Sequence, residues 1–158
     1  MIIRRIGEPG DLGWIVQANA ELYAREYGWD ASFEVLAARI VADWASSHDD
    51  AREAAWIAEL DGARVGCVMC VAEDNETARL RLLLVDAKAR GHGLGTQLVD
   101  TCLEFTRAAG YRRMVLWTNH PLTAARAVYL RAGFELVDEQ PHHSYGADLV
   151  GQTYARDL

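Results

Sequence analysis

Hydrophobic residues change their spacing within one stretch of the chain, residues 80–105. The four apolar residues at 82–85 follow one another without a break, which is typical of a strand buried on both faces of a sheet. Beyond a glycine-rich segment the apolar residues recur at the spacing of a helix, at Leu94, Leu98, Cys102 and Phe105. The pattern therefore predicts a buried strand, a glycine-rich loop and an amphipathic helix in direct succession.

The remaining apolar patterns extend this unit in both directions. They predict strands at 2–6, 54–60, 65–72, 77–85, 112–118, 134–139 and 149–158. They predict helices at 11–27, 32–45, 94–108 and 121–132, and a polar loop at 140–148. An antiparallel meander that leads into a β-α-β crossover gives an α/β (α+β) fold with a mixed sheet and helices on both faces. No linker or repeat interrupts the chain, so residues 1–158 are predicted to form a single domain.

Composition favours a folded, globular protein and argues against nucleic acid as a partner. Of the 158 residues 51% are hydrophobic and 25% are charged, which is typical of a globular domain with a sizeable core. The net charge of −7 is the opposite of a basic nucleic-acid-binding surface, although it suits a cationic substrate or simple solubility. Neither a run of about eighteen apolar residues nor a signal-peptide pattern is present, which predicts a cytoplasmic protein without membrane contact.

The three cysteines, Cys67, Cys70 and Cys102, are predicted to be buried free thiols. Cys67 and Cys70 have the C-x-x-C spacing of zinc and redox sites, but a strand places side chains three apart on opposite faces. A zinc site would also need a second pair of ligands, which the sequence lacks. His142 and His143 likewise have too few partners for a metal, so no metal is expected.

The glycine-rich segment Arg90–Thr96 (RGHGLGT) has the features of an anion-binding loop. Glycines at alternate positions allow a tight turn and a close approach of the backbone to a ligand. The helix that follows contributes unpaired N–H groups and the positive end of its dipole, which favour phosphate oxygens. Leu98 stands where a dinucleotide-binding loop has its third glycine, and the Gly-Lys-Ser/Thr of a P-loop is absent. The loop is therefore predicted to hold a pyrophosphate of another ligand; the alternative is a simple tight turn.

The motif R-x-x-G-x-G at 90–95, directly after a buried strand, resembles the acetyl-CoA-binding motif of the GNAT superfamily of N-acetyltransferases. The element order is similar to the GNAT fold along nearly the whole chain, and Tyr129 followed by 133–134 resembles the second half of its signature. Residues 116–119 and 142–153 further resemble the acetyltransferase half of bacterial MarR-type regulator–acetyltransferase fusions, here without a winged-helix segment. The implied fold is a mixed, mostly antiparallel sheet of six to seven strands with about four helices, splayed between the fourth and fifth strands.

The resemblance implies acetyl-CoA as the acyl donor, bound where those two strands separate. Backbone groups of Leu83, Leu84 and Val85 would pair with the pantetheine arm, and an N–H at or near Val85 would act as an oxyanion donor. The pyrophosphate would be held by the loop, through Arg90, Gly91, His92, Gly93, Leu94, Gly95 and Thr96. Asn119 would face the cofactor arm. Tyr129 would protonate the departing CoA thiolate as general acid, unless it is only a core tyrosine.

The resemblance does not supply a general base, because several family members carry a glutamate on the central strand and the comparable segment here reads Arg79-Leu80-Arg81. One candidate is Glu26, near Glu21 and Asp30, beside the expected acceptor-site residues Tyr27 and Trp29; the alternative is a solvated helix face. Another is His142, in the loop predicted to overhang the acceptor site. Trp117 is expected either to line the acceptor pocket or to pack in the sheet. The two arginines would favour an acidic acceptor.

These observations favour an acetyl-CoA-dependent N-acetyltransferase in which a primary amine attacks the thioester directly. The acceptor would be a small-molecule amine or a peptide, and pairing of exposed sheet edges would make a homodimer. One alternative is a catalytically silent acyl-CoA-binding sensor or regulatory module, which the missing glutamate favours. Another is a nucleotide-binding dehydrogenase, which would need the third glycine and a longer βαβ array.

Overall fold

The computed structural model describes all 158 residues, as seven strands and four helices. The strands are β1 (Ile2–Arg5), β2 (Ala54–Leu60), β3 (Ala63–Ala72), β4 (Thr77–Val85), β5 (Arg113–Asn119), β6 (Glu135–Ser144) and β7 (Ala147–Asp157). The helices are α1 (Asp11–Tyr27), α2 (Ala31–Ser46), α3 (Leu94–Ala108) and α4 (Thr123–Arg131), and a short 3₁₀ turn covers Ala87–Ala89. The predicted order of elements is confirmed. No helix is long and apolar enough to span a bilayer.

All seven strands form one sheet in the order β1-β2-β3-β4-β5-β7-β6. Every neighbouring pair is antiparallel except β4 and β5, which are parallel and joined through α3. These two strands pair only at Thr77–Leu80 with Arg113–Leu116, although β4 continues to Val85 and β5 to Asn119. The predicted splay between the fourth and fifth strands is therefore confirmed, and it leaves one edge of the end of β4 without a strand partner.

A β-bulge at Leu82 lies where β4 leaves β5. Cys67 pairs with Leu84 but Met69 pairs with Arg81, so β4 contains one residue more than β3 over this interval. Leu82 has a φ of 49°, a left-handed conformation that is unfavourable for a leucine. The extra residue interrupts the alternation of the strand, so that Leu82 packs on the opposite face from Leu80. The bulge thus changes which side chains of β4 face each layer of helices.

Helices cover both faces of the sheet, as the apolar patterns predicted. The larger core lies under α3 and α4 and includes Leu98, Val99 and Met114, each completely buried. The second core lies under α1 and α2 around Ile15 and Ile57. The prediction of three buried free thiols is also confirmed.

A buried carboxylate fixes the start of α1 to the sheet. The Asp11 side chain is 1% exposed and accepts two hydrogen bonds from the Arg4 guanidinium, at 2.8 and 2.9 Å. It accepts three more at 2.9 Å, from Arg64 Nε and from the backbone N–H groups of Gly7 and Glu8. The Arg4 guanidinium holds the pKa of this carboxyl well below its usual range.

The predicted polar loop at 140–148 is wrong, because β6 runs on through it to Ser144 and β7 begins at Ala147. Only Tyr145 and Gly146 connect the strands, with φ values of 57° and 77° that suit a tight hairpin turn. His142 and His143 therefore lie on a strand and not in a loop. The misassignment has a physical reason: β6 is the outermost strand and almost entirely exposed, so burial does not impose apolar alternation on it.

Candidate functional site

The splay between β4 and β5 opens into a cleft of about 700 Å³ between the end of β4, the glycine loop and α4. Its walls include the predicted cofactor-binding residues Leu83, Leu84, Val85, Arg90, Gly91, Gly93, Leu94, Gly95 and Thr96. His92 is exposed and does not line the cleft, and Asn119 lines an adjoining cavity instead. The structure thus brings together most of the residues that the motif implied, along one side of a single space.

Backbone donors are concentrated where the glycine loop meets α3. Gly91 and Gly93 have φ values of 82° and 73°, left-handed conformations that favour glycine over other residues. Gly93 is the N-cap of α3, and the first helical hydrogen bond runs from Gln97 N–H to Gly93 O at 3.0 Å. The N–H groups of the three residues before Gln97 lie in the open first turn, and together with the helix dipole they form a site for an anion.

Arg90 and Glu26 form an ion pair across the mouth of the cleft. Arg90 Nη2 lies 2.6 Å from Glu26 Oε1, and the two side chains are 46% and 27% exposed. Glu26 and Tyr27 extend from α1 and both line the cleft beside the glycine loop. These two residues were expected at an acceptor site from the sequence; they lie instead beside the glycine loop.

A smaller cavity of about 110 Å³ lies beside the cleft, toward α1 and α2. The two spaces share four lining residues, Tyr23, Leu83, Leu122 and Ala125, so they adjoin at the end of β4. Aromatic rings form much of the cavity wall: Tyr23, Trp29, Phe33 and Tyr145 pack with neighbouring ring centroids 4.8–5.1 Å apart. Among the predicted substrate residues, Trp29 and Trp117 line this cavity and Tyr27 does not.

Three of these aromatic residues were not predicted from the sequence as site residues. Tyr23 lies four residues before Tyr27 on α1, a spacing that gives a shared helix face and could have indicated it. Phe33 is an apolar residue near the start of α2, a position that by itself predicts only burial. Tyr145 lies in the hairpin turn that was taken for a long polar loop, and nothing in the local pattern indicates that it folds back onto Trp29.

Tyr129 lies on α4 and lines the cavity. It is 5% exposed and packs against Phe134 and Tyr154, with ring centroids 6.0 and 6.4 Å away. Burial raises the pKa of its phenol well above the usual range, so the hydroxyl is protonated at neutral pH. Tyr129 is therefore a core residue that also lines the cavity with its hydroxyl protonated, and its role as general acid stays a prediction.

His142 contacts the site through Asn119. His142 Nε2 lies 2.7 Å from Asn119 Oδ1 and Nδ1 lies 2.9 Å from Ser144 Oγ, so both ring nitrogens have partners. The imidazole also packs against Trp117, 5.3 Å between centroids. Asn119 and Trp117 line the cavity, whereas His142 does not. Since Asn119 Oδ1 accepts, Nε2 carries the proton in this arrangement.

Two arginines of β4 are the charged residues of the cavity. Arg79 Nε donates to Glu73 Oε2 at 2.6 Å. Arg81 makes no hydrogen bond or ion pair within the chain, and burial, together with the charge of Arg79, lowers its pKa from the usual value. Asn19 lies on the same side of the sheet and lines the cavity; its Nδ2 donates to Ile15 O at 2.8 Å, while its buried Oδ1 has no partner.

Comparison with known proteins identifies a family and several relatives. The model of the acetyltransferase (GNAT) family matches residues 16–134. An N-acetyltransferase of Methanocaldococcus jannaschii, itself uncharacterized, is 31% identical over 124 residues, which are 73% of this chain and 54% of that protein. N-acetylaspartate synthetase of Rattus norvegicus is 35% identical over 89 residues, 56% of this chain and 30% of that protein. The chain thus spans about half the length, or less, of these curated relatives.

Solved structures share the fold over the whole chain. A ribosomal-protein-alanine N-acetyltransferase from Brucella melitensis superposes with a TM-score of 0.79 at 18% identity, covering 100% of both chains. A GNAT family acetyltransferase from Elizabethkingia anophelis, solved with acetyl-CoA bound, has a TM-score of 0.67 at 17% identity and covers 99% of this chain and 97% of its own. At such identities the likeness concerns the fold.

Proposed function

We propose that this chain, which belongs to the acetyltransferase (GNAT) family, transfers an acetyl group from acetyl-CoA to a primary amine of a small molecule or peptide. The observation that carries the proposal is a pair of adjoining spaces lined in succession by the glycine loop, the unpaired edge of β4 and Tyr129. A ligand with phosphates at one end and a reactive thioester at the other fits that order of groups. The acetyl-CoA bound by the Elizabethkingia protein supports the same assignment.

The phosphate end of acetyl-CoA would be held by the backbone of the glycine loop. The open first turn of α3 offers N–H donors, and the left-handed Gly91 and Gly93 let the chain turn around an anion. Arg90 adds a guanidinium that can form charge-assisted hydrogen bonds with phosphate oxygens. His92, which is exposed and lies outside the cleft, is not required by this proposal.

The unpaired edge of β4 would bind the pantetheine arm as an added strand. Beyond Leu80 this edge has no neighbour in the sheet, so its N–H and C=O groups are available to the amides of the ligand. An N–H of the segment Leu83–Val85 would donate to the thioester oxygen, where negative charge develops during attack by the amine. Tyr129, kept protonated by burial, would give its proton to the departing thiolate.

We propose that the proton of the amine leaves through water in the open cleft and not to a dedicated side chain. Glu26 is paired with Arg90 beside the phosphate loop, and both nitrogens of His142 already have partners. No aspartate or glutamate lines the cavity. We therefore assign to Glu26 the role of balancing the charge of Arg90, and to His142 the role of positioning Asn119. Neither residue acts as the general base in this proposal.

Variants of the Arg90–Glu26 pair should change acetyl-CoA binding in opposite directions. We expect Arg90→Gln to weaken binding about three- to tenfold, a modest loss because the side chain is partly exposed. Glu26→Gln should strengthen binding about twofold, because Arg90 is then free for the phosphates. Calorimetric titration measures both values, and Asp100→Asn on the exposed surface of α3 is the matched control.

The same variants test Glu26 as a base. If Glu26 only balances the charge of Arg90, Glu26→Gln keeps kcat within about threefold of the wild type. A loss of about 100-fold in kcat with unchanged acetyl-CoA binding would instead make Glu26 the base and overturn our assignment.

The proposed activity is tested by thermal unfolding with acetyl-CoA, CoA and NAD⁺, followed by a thiol-release screen across amines. We expect acetyl-CoA to raise the Tm, NAD⁺ to leave it unchanged, and free CoA to appear with at least one amine. Stabilisation without thiol release on any amine would favour the catalytically silent sensor, which the missing carboxylate on β4 makes the second candidate. Absence of stabilisation by acetyl-CoA would contradict both.

Four features expected from the sequence stay predictions: a single domain over residues 1–158, a cytoplasmic location, the additional similarity to MarR-type fusions, and a homodimer. The sheet edges that would form a dimer are β1 and β6. Both strands carry exposed residues, and sedimentation of the purified chain measures the oligomeric state directly.

A further inference from the structure

The charges in the cavity are opposite in sign to the charge of the whole chain. The net charge of the protein is −7, yet the only ionised side chains that line the cavity at neutral pH are those of Arg79 and Arg81. Both project from β4 toward α1 and α2, on the face opposite to Leu80. A cationic acceptor such as a polyamine would meet two guanidinium groups and no carboxylate there.

One of these two charges has no hydrogen-bond or ion-pair partner within the chain, and Glu73, the partner of Arg79, acts on it only at longer range. Glu73 pairs with Arg79 at 2.6 Å, whereas Arg81 has no hydrogen-bond or ion-pair partner and is partly buried. A guanidinium removed from water is stable only when its donors find acceptors. Arg81 does not line the cleft that holds the glycine loop, so the phosphates of the donor are not its partner. An anionic group that enters the cavity would supply the partner that Arg81 lacks.

The other residues that line the cavity indicate the polarity and the size of the ligand. The wall of aromatic rings, from Tyr23, Trp29, Phe33 and Tyr145, favours an apolar group. The cavity of about 110 Å³ is the smaller of the two spaces and has room for one compact apolar side chain.

From this arrangement we propose that the acceptor is a free amino acid or a similar small amine that carries one carboxylate and an apolar body, with Arg81 binding the carboxylate. The proposal rests on the acetyltransferase function proposed above and names its substrate class. A planar carboxylate matches the fork of guanidinium donors, which explains an arginine at this position better than a lysine. Arg81 is thus a specificity-determining residue that acts through substrate binding.

The test compares amino acids with matched amines that lack the carboxylate: leucine with isoamylamine, phenylalanine with phenethylamine, and spermidine as a cationic probe. Thiol release measures kcat/KM for each. We expect at least one amino acid to exceed its matched amine by about 10- to 100-fold, since a hydrogen-bonded ion pair would be lost. Spermidine should be the poorest acceptor. An equal or higher kcat/KM for the matched amines or for spermidine would overturn the proposal.

Arg81 variants test the residue itself. Arg81→Gln should raise KM for the amino acid to that of its matched amine with little change in kcat, and Arg81→Lys should recover part of the loss. Arg112→Gln, at a side chain that is 80% exposed, is the control. Unaltered stabilisation by acetyl-CoA would show that the variants fold and bind the donor. An amino-acid KM that Arg81→Gln leaves unchanged would remove Arg81 from the proposal.

A binding measurement separates failure of this inference from failure of the proposed function. Calorimetry with CoA present requires no turnover, and phenylalanine or leucine should bind at least tenfold more tightly than the matched amine. If the amino acids bind but no thiol is released, the substrate class stands as a ligand class and the enzymatic activity fails. If acetyl-CoA binds and no amino acid does, the inference fails and the family function stands.

Discussion

Replacing Tyr129 by phenylalanine is expected to lower kcat by about 100- to 10,000-fold while acetyl-CoA binding stays within about twofold. The reason is that the thiolate of CoA must take up a proton as it leaves, and the phenol of Tyr129 lies in the wall of the cavity next to the end of β4. Thiol release under saturating substrate measures kcat, and calorimetry measures acetyl-CoA binding.

The substitution removes little besides the proton donor. The ring that packs against Phe134 and Tyr154 is retained, and the hydroxyl makes no hydrogen bond within the chain that its loss would break. Tyr154→Phe is the matched control. Tyr154 is also a buried tyrosine and packs against Tyr129, but it does not line the cavity. A Tyr129→Phe enzyme with wild-type kcat, or an equal loss in Tyr154→Phe, would contradict the general-acid assignment.

The pKa of Tyr129 also predicts the alkaline limb of the pH profile. The phenol is active only when protonated, and burial raises its pKa above that of an ordinary tyrosine. Deprotonation of Tyr129 should therefore cause no loss of kcat below about pH 10, the usual tyrosine pKa. If kcat instead fell with a midpoint near pH 8, and this fall were absent in Tyr129→Phe, burial would not raise the pKa of Tyr129.

The second large effect is expected for stability, at Asp11. We expect Asp11→Asn to lower the free energy of unfolding by about 2–4 kcal/mol at neutral pH, near the lower part of the range for a broken buried ion pair because both arginine partners retain some exposure. For a chain of this size the Tm should fall by roughly 5–15 °C. Urea unfolding measures the free energy, with Asp43→Asn on the exposed face of α2 as the control.

The contribution of Asp11 should also depend on pH with a definite sign. Its pKa in the folded protein is depressed by the Arg4 guanidinium, so the stabilisation is fully present above the unfolded-state value of about 3.9. Below that value the unfolded state takes up the proton first, and the stabilisation is lost progressively as the pH falls toward the folded-state pKa. The difference between wild type and Asp11→Asn should therefore shrink below about pH 4. A difference that is constant down to pH 2 would contradict this account.

Periodicity along the chain determined most of the fold. Where a segment packs against a core, burial imposes a regular spacing of its apolar residues. For this reason β4 and α3 were predicted with their observed boundaries. The glycine loop was predicted as an anion site because the backbone conformation at Gly91 and Gly93 is a local property. The strand β6 was missed beyond residue 139 because an exposed edge strand is under no such constraint.

The candidate site was predictable only where its parts are local. Tyr129 could be proposed from its position on α4 relative to the turn at Gly133-Phe134, but its contact with the cavity depends on α4 packing over the splay. Glu26 was expected beside an acceptor, and it lies instead against Arg90, 64 residues away along the chain. Such pairings depend on how separate elements meet, which no local pattern specifies.

The sequence by itself therefore determined the order of the elements, the position of the glycine loop, the three buried thiols and the general acid to be tested. Tertiary structure alone decided that the bulge at Leu82 divides the side chains of β4 between two layers, and that Arg81 is left without a partner in an aromatic cavity. The physical reason is one of range. Conformational preference and periodic burial act between near neighbours in the chain, whereas a counter-charge or a cavity wall comes from segments that only folding brings together.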